Sequence, residues 1–488
     1  MSVHSPTARG KSAIPALAQL SAAIFWKKAF SATALAVAAT FAVATCAPAT
    51  LGGGETNPQH SEESLVQRGY RLLTTQAYLS PDFDQEVFDD LWKTWEEPLR
   101  SRAAKATPEG RRKMAFSRYG LTEAPGREGP VALQYVDNGR GGWVMNCLAC
   151  HGGKVAGRVI PGLPNSHYAM QTLTEEVRAV KLRQKKISAL DIAAATFPLG
   201  GSNGTTNAVM FGVALGAFRD EDLNFRSRDR PPEFVHHDMD APPWWNVKKK
   251  KHLYADGFAP KGHRALMQFL MTPENGPEKF RAWEDDFKAI YAWIEALEPP
   301  RYPWPIDRAL AARGEKIFTR ACTTCHGTYG SQAEYPNKIV SIEEVATDRV
   351  RLDSLTAAHR QGYERSWFDH HGVEKVVAEP GGYIAPPLDG IWASAPYLHN
   401  GSVPTLWHLF HAERRPVVWQ RTEDGYDQQK VGLEVTVFGD LPADANSGKQ
   451  KRRYFDTRLF GKSAQGHLFP DALEEHEKLA VMEYLKTL

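Results

Sequence analysis

The chain is poor in cysteine and has no dominant charge. Of 488 residues only five are cysteine, and the formal net charge is +2. A balance that close removes any bulk electrostatic case for nucleic acid as a partner. The one basic run, Lys248 to Lys251, reads as a solvated face rather than a docking patch. No strand-rich region is evident. Glycine, proline and tryptophan are plentiful, which suits a loop-rich fold with aromatic packing. The length allows two or three domains and a large core.

The first 50 residues do not read as a folded domain. Lys27 and Lys28 precede the apolar run "AFSATALAVAATFAVAT", and small residues follow in "TCAPAT". This is the order of an export signal. An uncleaved membrane anchor is the alternative, although about 17 apolar residues is marginal for spanning. Lipidation of Cys46 is a further alternative, but Thr45 before it fits a lipoprotein box poorly. Each of these places the body of the protein in the periplasm or cell envelope.

The other four cysteines fall in two copies of one pattern, "NCLACHG" from Asn146 and "ACTTCHG" from Ala321. A Cys147–Cys150 disulfide or a zinc site would use such pairs. Neither needs a histidine directly after the second cysteine. C-x-x-C-H is the attachment signature of c-type haem. Two thiols add to the two vinyl groups on one macrocycle edge, and the next residue places an imidazole on iron. Cys147, Cys150, Cys322 and Cys325 are thus expected to hold two covalent haem c groups, with His151 and His326 as proximal ligands.

The expected fold is mainly α, with two cytochrome c-like haem domains and long irregular loops: residues 51–300 and 301–488. Helical patterns are expected from about Ser61 to Trp95, over Leu173 to Ala195, and over Arg281 to Leu297. The last carries Trp283, Phe287, Ile290, Trp293, Ile294 and Leu297 on one face. "EPPRYPWP" reads as a linker. A helix with Gly314 and Phe318 before the second motif should cross a final helix over Asp471 to Leu488, capped by Asp471.

The occupant of each iron's other face decides between carrier and catalyst. For the second haem the candidates are His467, His399, His408, His411, His370 and His371; Met482 reads as core. For the first they are His167, in a proline-bounded loop, and its rivals His236 and His237.

The mature chain resembles the bacterial di-haem cytochrome c peroxidase superfamily, which includes the methylamine dehydrogenase maturation enzyme and the rubber oxygenase-like branch. The resemblance rests on the two C-x-x-C-H motifs and on "APPLDGIWASAPYLHNGSVPTL". "GKSAQGH" resembles the rubber oxygenase-like G-N-S-x-x-G-H loop, which implies His467 as the second haem's ligand. The resemblance further implies a reactive N-terminal haem, an electron-relaying C-terminal haem, a bridging tryptophan at Trp244 or Trp245, and His167 as a cap on the first iron. Some members hold a calcium ion between the haems.

Two departures point away from a standard peroxidase. "GGSNGTTNAVMFG" lacks the expected distal acid, and no methionine lies between Met271 and Met482. The leading expectation is an exported di-haem redox enzyme acting on peroxide or dioxygen, with its pocket around Phe197 to Phe211. Its partner would be a small redox protein or a small-molecule substrate. A non-catalytic di-haem electron carrier is the alternative. A bare carrier would need roughly 200 residues, and this chain has more than twice that.

Overall fold

A computed structural model describes residues 63–488, except 127–128, 189–190, 193–194, 196 and 227–233. The expected export segment lies outside the described residues. Among them no helix is long and apolar enough to cross a membrane. Helix is the commonest regular element, joined by long loops and mostly short strands.

Helix α1 (Leu65–Thr75) starts at Ser64, whose hydroxyl accepts from Gln67 N–H while the Gln67 side chain accepts from Ser64 N–H. Three short strands follow in the order β1–β3–β2: Phe83–Asp84, Gly142–Met145 and Tyr135–Asp137. Strand β3, the central strand, runs straight into Asn146, so the first C-x-x-C-H motif is delivered from its C-terminal end. A hairpin of β4 (Gly152–Val155) and β5 (Arg158–Pro161) carries the chain away from His151.

Helix α2 (Met170–Arg183) is followed by β6 (Thr205–Thr206), α3 (Ala208–Gly216) and β7 (Met239–Asp240), with β6 paired to β7. The expected helix over Arg281 to Leu297 is two helices that meet at Trp283: Pro277–Ala282 and α4 (Glu284–Glu295). The spacing was sound for α4, which buries Phe287, Ala289, Ile290, Trp293 and Ile294. It packs on α1 so closely that a Cβ on Gly69 would lie 2.0 Å from the Ala289 oxygen.

In the second half, α5 (Arg308–Ala321) begins at Asp307, whose carboxylate accepts from Leu310 N–H. It crosses the last helix, α6 (Glu475–Leu485). That helix is capped by Glu474; Asp471 sits in a 3-10 turn over Phe469–Ala472. The early start expected at Asp471 is corrected by this turn. Leu479, expected on the buried face, is 46% exposed.

A long antiparallel hairpin of β8 (Val418–Asp427) and β9 (Gly432–Phe438) was not expected. Its signal is present in "LEVTVF", where apolar and polar residues alternate.

The apolar core is not divided at residue 300. One cluster joins Phe258, Phe280 and Ile290 to Tyr363, Trp367 and Phe368, and another joins Leu163 and Trp245 to Trp392 and Leu406. A buried ion cluster adds to this seam: Asp256 accepts from Arg351 (3.0 Å) and Arg360 (2.7 Å). Buried charges of this kind are tolerated only when paired.

The α5–α6 crossing gives a direct test. A Cβ on Gly314 would lie 1.9 Å from the Ala480 oxygen. Gly314→Ala should therefore cost about 1–3 kcal/mol, read as a lower denaturant midpoint at unchanged slope. An unchanged midpoint would contradict the tight crossing.

Candidate functional site

Both C-x-x-C-H motifs open into one cavity of about 2400 Å³, walled mainly by aliphatic and aromatic side chains. That exceeds the range of roughly 300–1,000 Å³ typical of a single small-molecule pocket. All four cysteines line it, with His151, His326 and His467. The four thiols are free. Burial pushes Cys147 and Cys322 up to about 11 and Cys150 to about 12. Two pairs of free thiols facing one apolar cavity suit thioether attachment.

Each motif histidine is held in the same way. His151 Nδ1 lies 3.1 Å from the Pro242 carbonyl, and His326 Nδ1 lies 2.8 Å from the Pro386 carbonyl. A carbonyl only accepts, so the proton sits on Nδ1 and the Nε2 lone pair is left free for a metal. Burial lowers the basicity of both imidazoles, that of His151 to about 3.

Each accepting proline is followed by a second one, Pro243 or Pro387. A residue before proline is kept extended, so its carbonyl is not drawn into a helix and remains available. The signal is a repeated Ala-Pro-Pro, Ala241–Pro243 and Ala385–Pro387, which sequence reasoning missed. The two supports are also tied together, because Asn246 Nδ2 donates to the Pro387 carbonyl (2.9 Å).

His467 stands across the cavity from His326, with ring centroids 6.2 Å apart. Two imidazoles bound at about 2 Å to opposite sides of one metal ion would place their centroids about 6 Å apart. The loop is built to hold it there. His467 adopts φ 50° after Gly466 at φ 79°, a left-handed pair. His467 N–H donates to the Val345 carbonyl (2.7 Å), and Arg415 Nη1 donates to the Ala464 and Gly466 carbonyls. A Cβ on Gly466 would lie 2.3 Å from Ala346 C, so glycine is required. Burial, then the neighbouring His326 and Arg415, push His467 down to about 3. Its Nδ1 is buried without a partner.

Other expected residues fall elsewhere. His167 does not line the cavity. It lies against the backbone of Thr422 and Glu423 and the Arg421 guanidinium. It was expected to cap the first iron; its ring lies beside the β8 hairpin, with Nε2 buried and unpartnered. His237 is also off the cavity, with Nδ1 on the Val235 carbonyl (3.0 Å). His236 does reach the wall, held by Asn207 (2.9 Å) and by the Phe197 edge.

Trp244 stacks on His151 with centroids 4.3 Å apart and planes 19° apart. Trp245 turns the other way: it donates to the Asp389 carbonyl (2.7 Å) and joins the second core cluster. The pair therefore spans the seam. Phe197, Leu199, Val209 and Phe211 form part of the wall, and that stretch supplies no acid. Four carboxyls reach the wall from elsewhere, Asp82, Asp191, Asp240 and Glu274. Asp82 accepts from Met145 N–H (2.9 Å), and burial pushes it up to about 6; burial raises Asp240 further.

Comparison with known proteins agrees on the haem chemistry. Residues 382–420, which contain Pro386 and His399, match the family described as RoxA-like, cytochrome c-like. The chain is 28% identical over 290 residues to the uncharacterized protein y4iM of Sinorhizobium fredii (strain NBRC 101917 / NGR234), covering 51% of this chain and 64% of that protein. It is 29% identical over 258 residues to the uncharacterized protein y4iJ of the same strain, covering 39% of this chain and 41% of that protein. The chain thus spans less than two thirds of either relative.

If His467 is the second axial ligand, His467→Ala should convert one haem from low to high spin in the ferric optical and paramagnetic resonance spectra. Unchanged spectra would reject the assignment.

Proposed function

We propose that the chain is an exported di-haem c-type cytochrome acting as a redox enzyme. The His151 site is where peroxide or dioxygen binds, and the His326 site is where electrons enter. Bound haem would supply the redox-active iron. Cys147 and Cys150 would hold one group, and Cys322 and Cys325 the other.

The observation that supports this reading is an asymmetry. His326 faces a second imidazole across the cavity, whereas His151 is backed by the Trp244 ring, and among the described residues no histidine ring faces it at a like distance. A site closed on both faces suits electron relay, and a site with one free face suits a ligand that reacts.

The chain's own groups fit those roles. Phe197, Leu199, Val209 and Phe211 exclude water from the wall. Asp82 is held through Oδ2 by Met145 N–H, so its other oxygen can carry a proton to the cavity. Trp244 and Trp245 place two indoles in sequence between the first site and the second core cluster. The electron-carrier alternative is favoured only at the His326–His467 pair.

Asp82→Asn tests the catalytic reading. The half-reduced wild type should consume peroxide or dioxygen with a rate that bends near pH 6, the value to which burial raises the carboxyl. Below that pH the group is a proton donor, and above it a base. The variant should lose the bend and about 10²-fold in rate. A wild type inert to both oxidants would leave the carrier reading in its place.

A further inference from the structure

The lysine run behaves as three outward residues and one inward one. Lys248 pairs with Glu298 (2.6 Å), Lys249 with Asp389 (2.7 Å), and Lys251 lies 3.9 Å from Glu374. Lys250 lines the cavity instead. Its backbone is fixed on both sides by one side chain from the other half of the molecule. Asn337 Nδ2 donates to the Lys249 carbonyl (3.3 Å), and Lys251 N–H donates to Asn337 Oδ1 (2.8 Å). Lys250 itself is extended, at φ −85° and ψ 153°.

Nothing on the wall answers its charge. The carboxyls there are Asp82, Asp191, Asp240 and Glu274. Asp191 pairs with Lys181, and none forms an ion pair with Lys250 among the described residues. The other cations on the wall each have an acid near them: Lys181 pairs with Asp191 (2.9 Å), and Arg178 has Glu175 and Asp191 near it. For Lys250 burial alone acts, pushing the amine down to about 8. An unpaired amine in an apolar cavity is costly unless an anion meets it. The propionate side arms of a haem c are such anions, and carboxylate–ammonium bonds are among the stronger hydrogen bonds.

We propose that Lys250 is an anchoring site for a haem propionate, pairing its ammonium with one tetrapyrrole carboxylate at the seam between the two halves. This rests on the reading of the cavity as a haem site. Because the haems would be attached through thioethers, removing the lysine should leave both in place and change their energetics.

The test is spectroelectrochemical titration of the holoprotein as wild type, Lys250→Met and Lys250→Arg. Loss of the cation favours the ferric state, so Lys250→Met should lower one midpoint potential. A tenfold change in the oxidised-to-reduced ratio would appear as 59 mV for a one-electron couple. Lys250→Arg should restore most of the shift. Lys250→Gln serves the same purpose if the methionine variant does not fold. Two attached haems with both potentials unmoved would overturn the anchor alone. A wild-type chain carrying no haem would overturn the underlying reading as well.

Discussion

The structure depends on a bond made twice, from a histidine Nδ1–H to the carbonyl of the first proline in an Ala-Pro-Pro segment. It fixes the tautomer, the ring direction and the free nitrogen of His151 and His326 together. A cysteine pair alone would leave the following imidazole able to rotate, and a rotated ring could not meet a metal. The acceptors come from distant parts of the chain, Pro242 and Pro386, so neither histidine is set until the surrounding fold has closed. The Asn246–Pro387 bond then makes the two supports one unit.

Around that unit the surroundings of the two histidines differ. The His326 side meets a loop that ends in His467, held by a left-handed Gly466–His467 pair and by Arg415. The His151 side meets Trp244 and an apolar wall. The seam between them carries the features with the highest energetic stakes: the Asp256–Arg351–Arg360 cluster, the tryptophan pair, and the inward lysine. Stiffness there matters because a small shift in either support would move both histidines at once.

Much of this was legible in the sequence, and the parts that were not share a cause. The helix α4 follows from local spacing, because its buried face is set by period; the α5–α6 crossing was expected from the likeness of its first helix to that of a small cytochrome c domain. His467 was singled out by its glycine- and serine-rich loop and by the likeness of "GKSAQGH" to a family loop, and the structure sets its ring 6.2 Å from that of His326. His167 could not be placed, because its neighbour is a hairpin more than 250 residues later whose strand pattern was passed over. The proline acceptors and the wall carboxyls Asp82 and Asp240 were invisible for the same reason. Each acts on a site far away in the chain, and only the repeated Ala-Pro-Pro offered a hint.

The most direct measurement is an iron-edge anomalous difference map from crystals of the mature protein. The account predicts two iron peaks in the shared cavity, one bonded to His151 Nε2 and the other lying between His326 and His467. A zinc signal, a Cys147–Cys150 disulfide, or a single iron would contradict it.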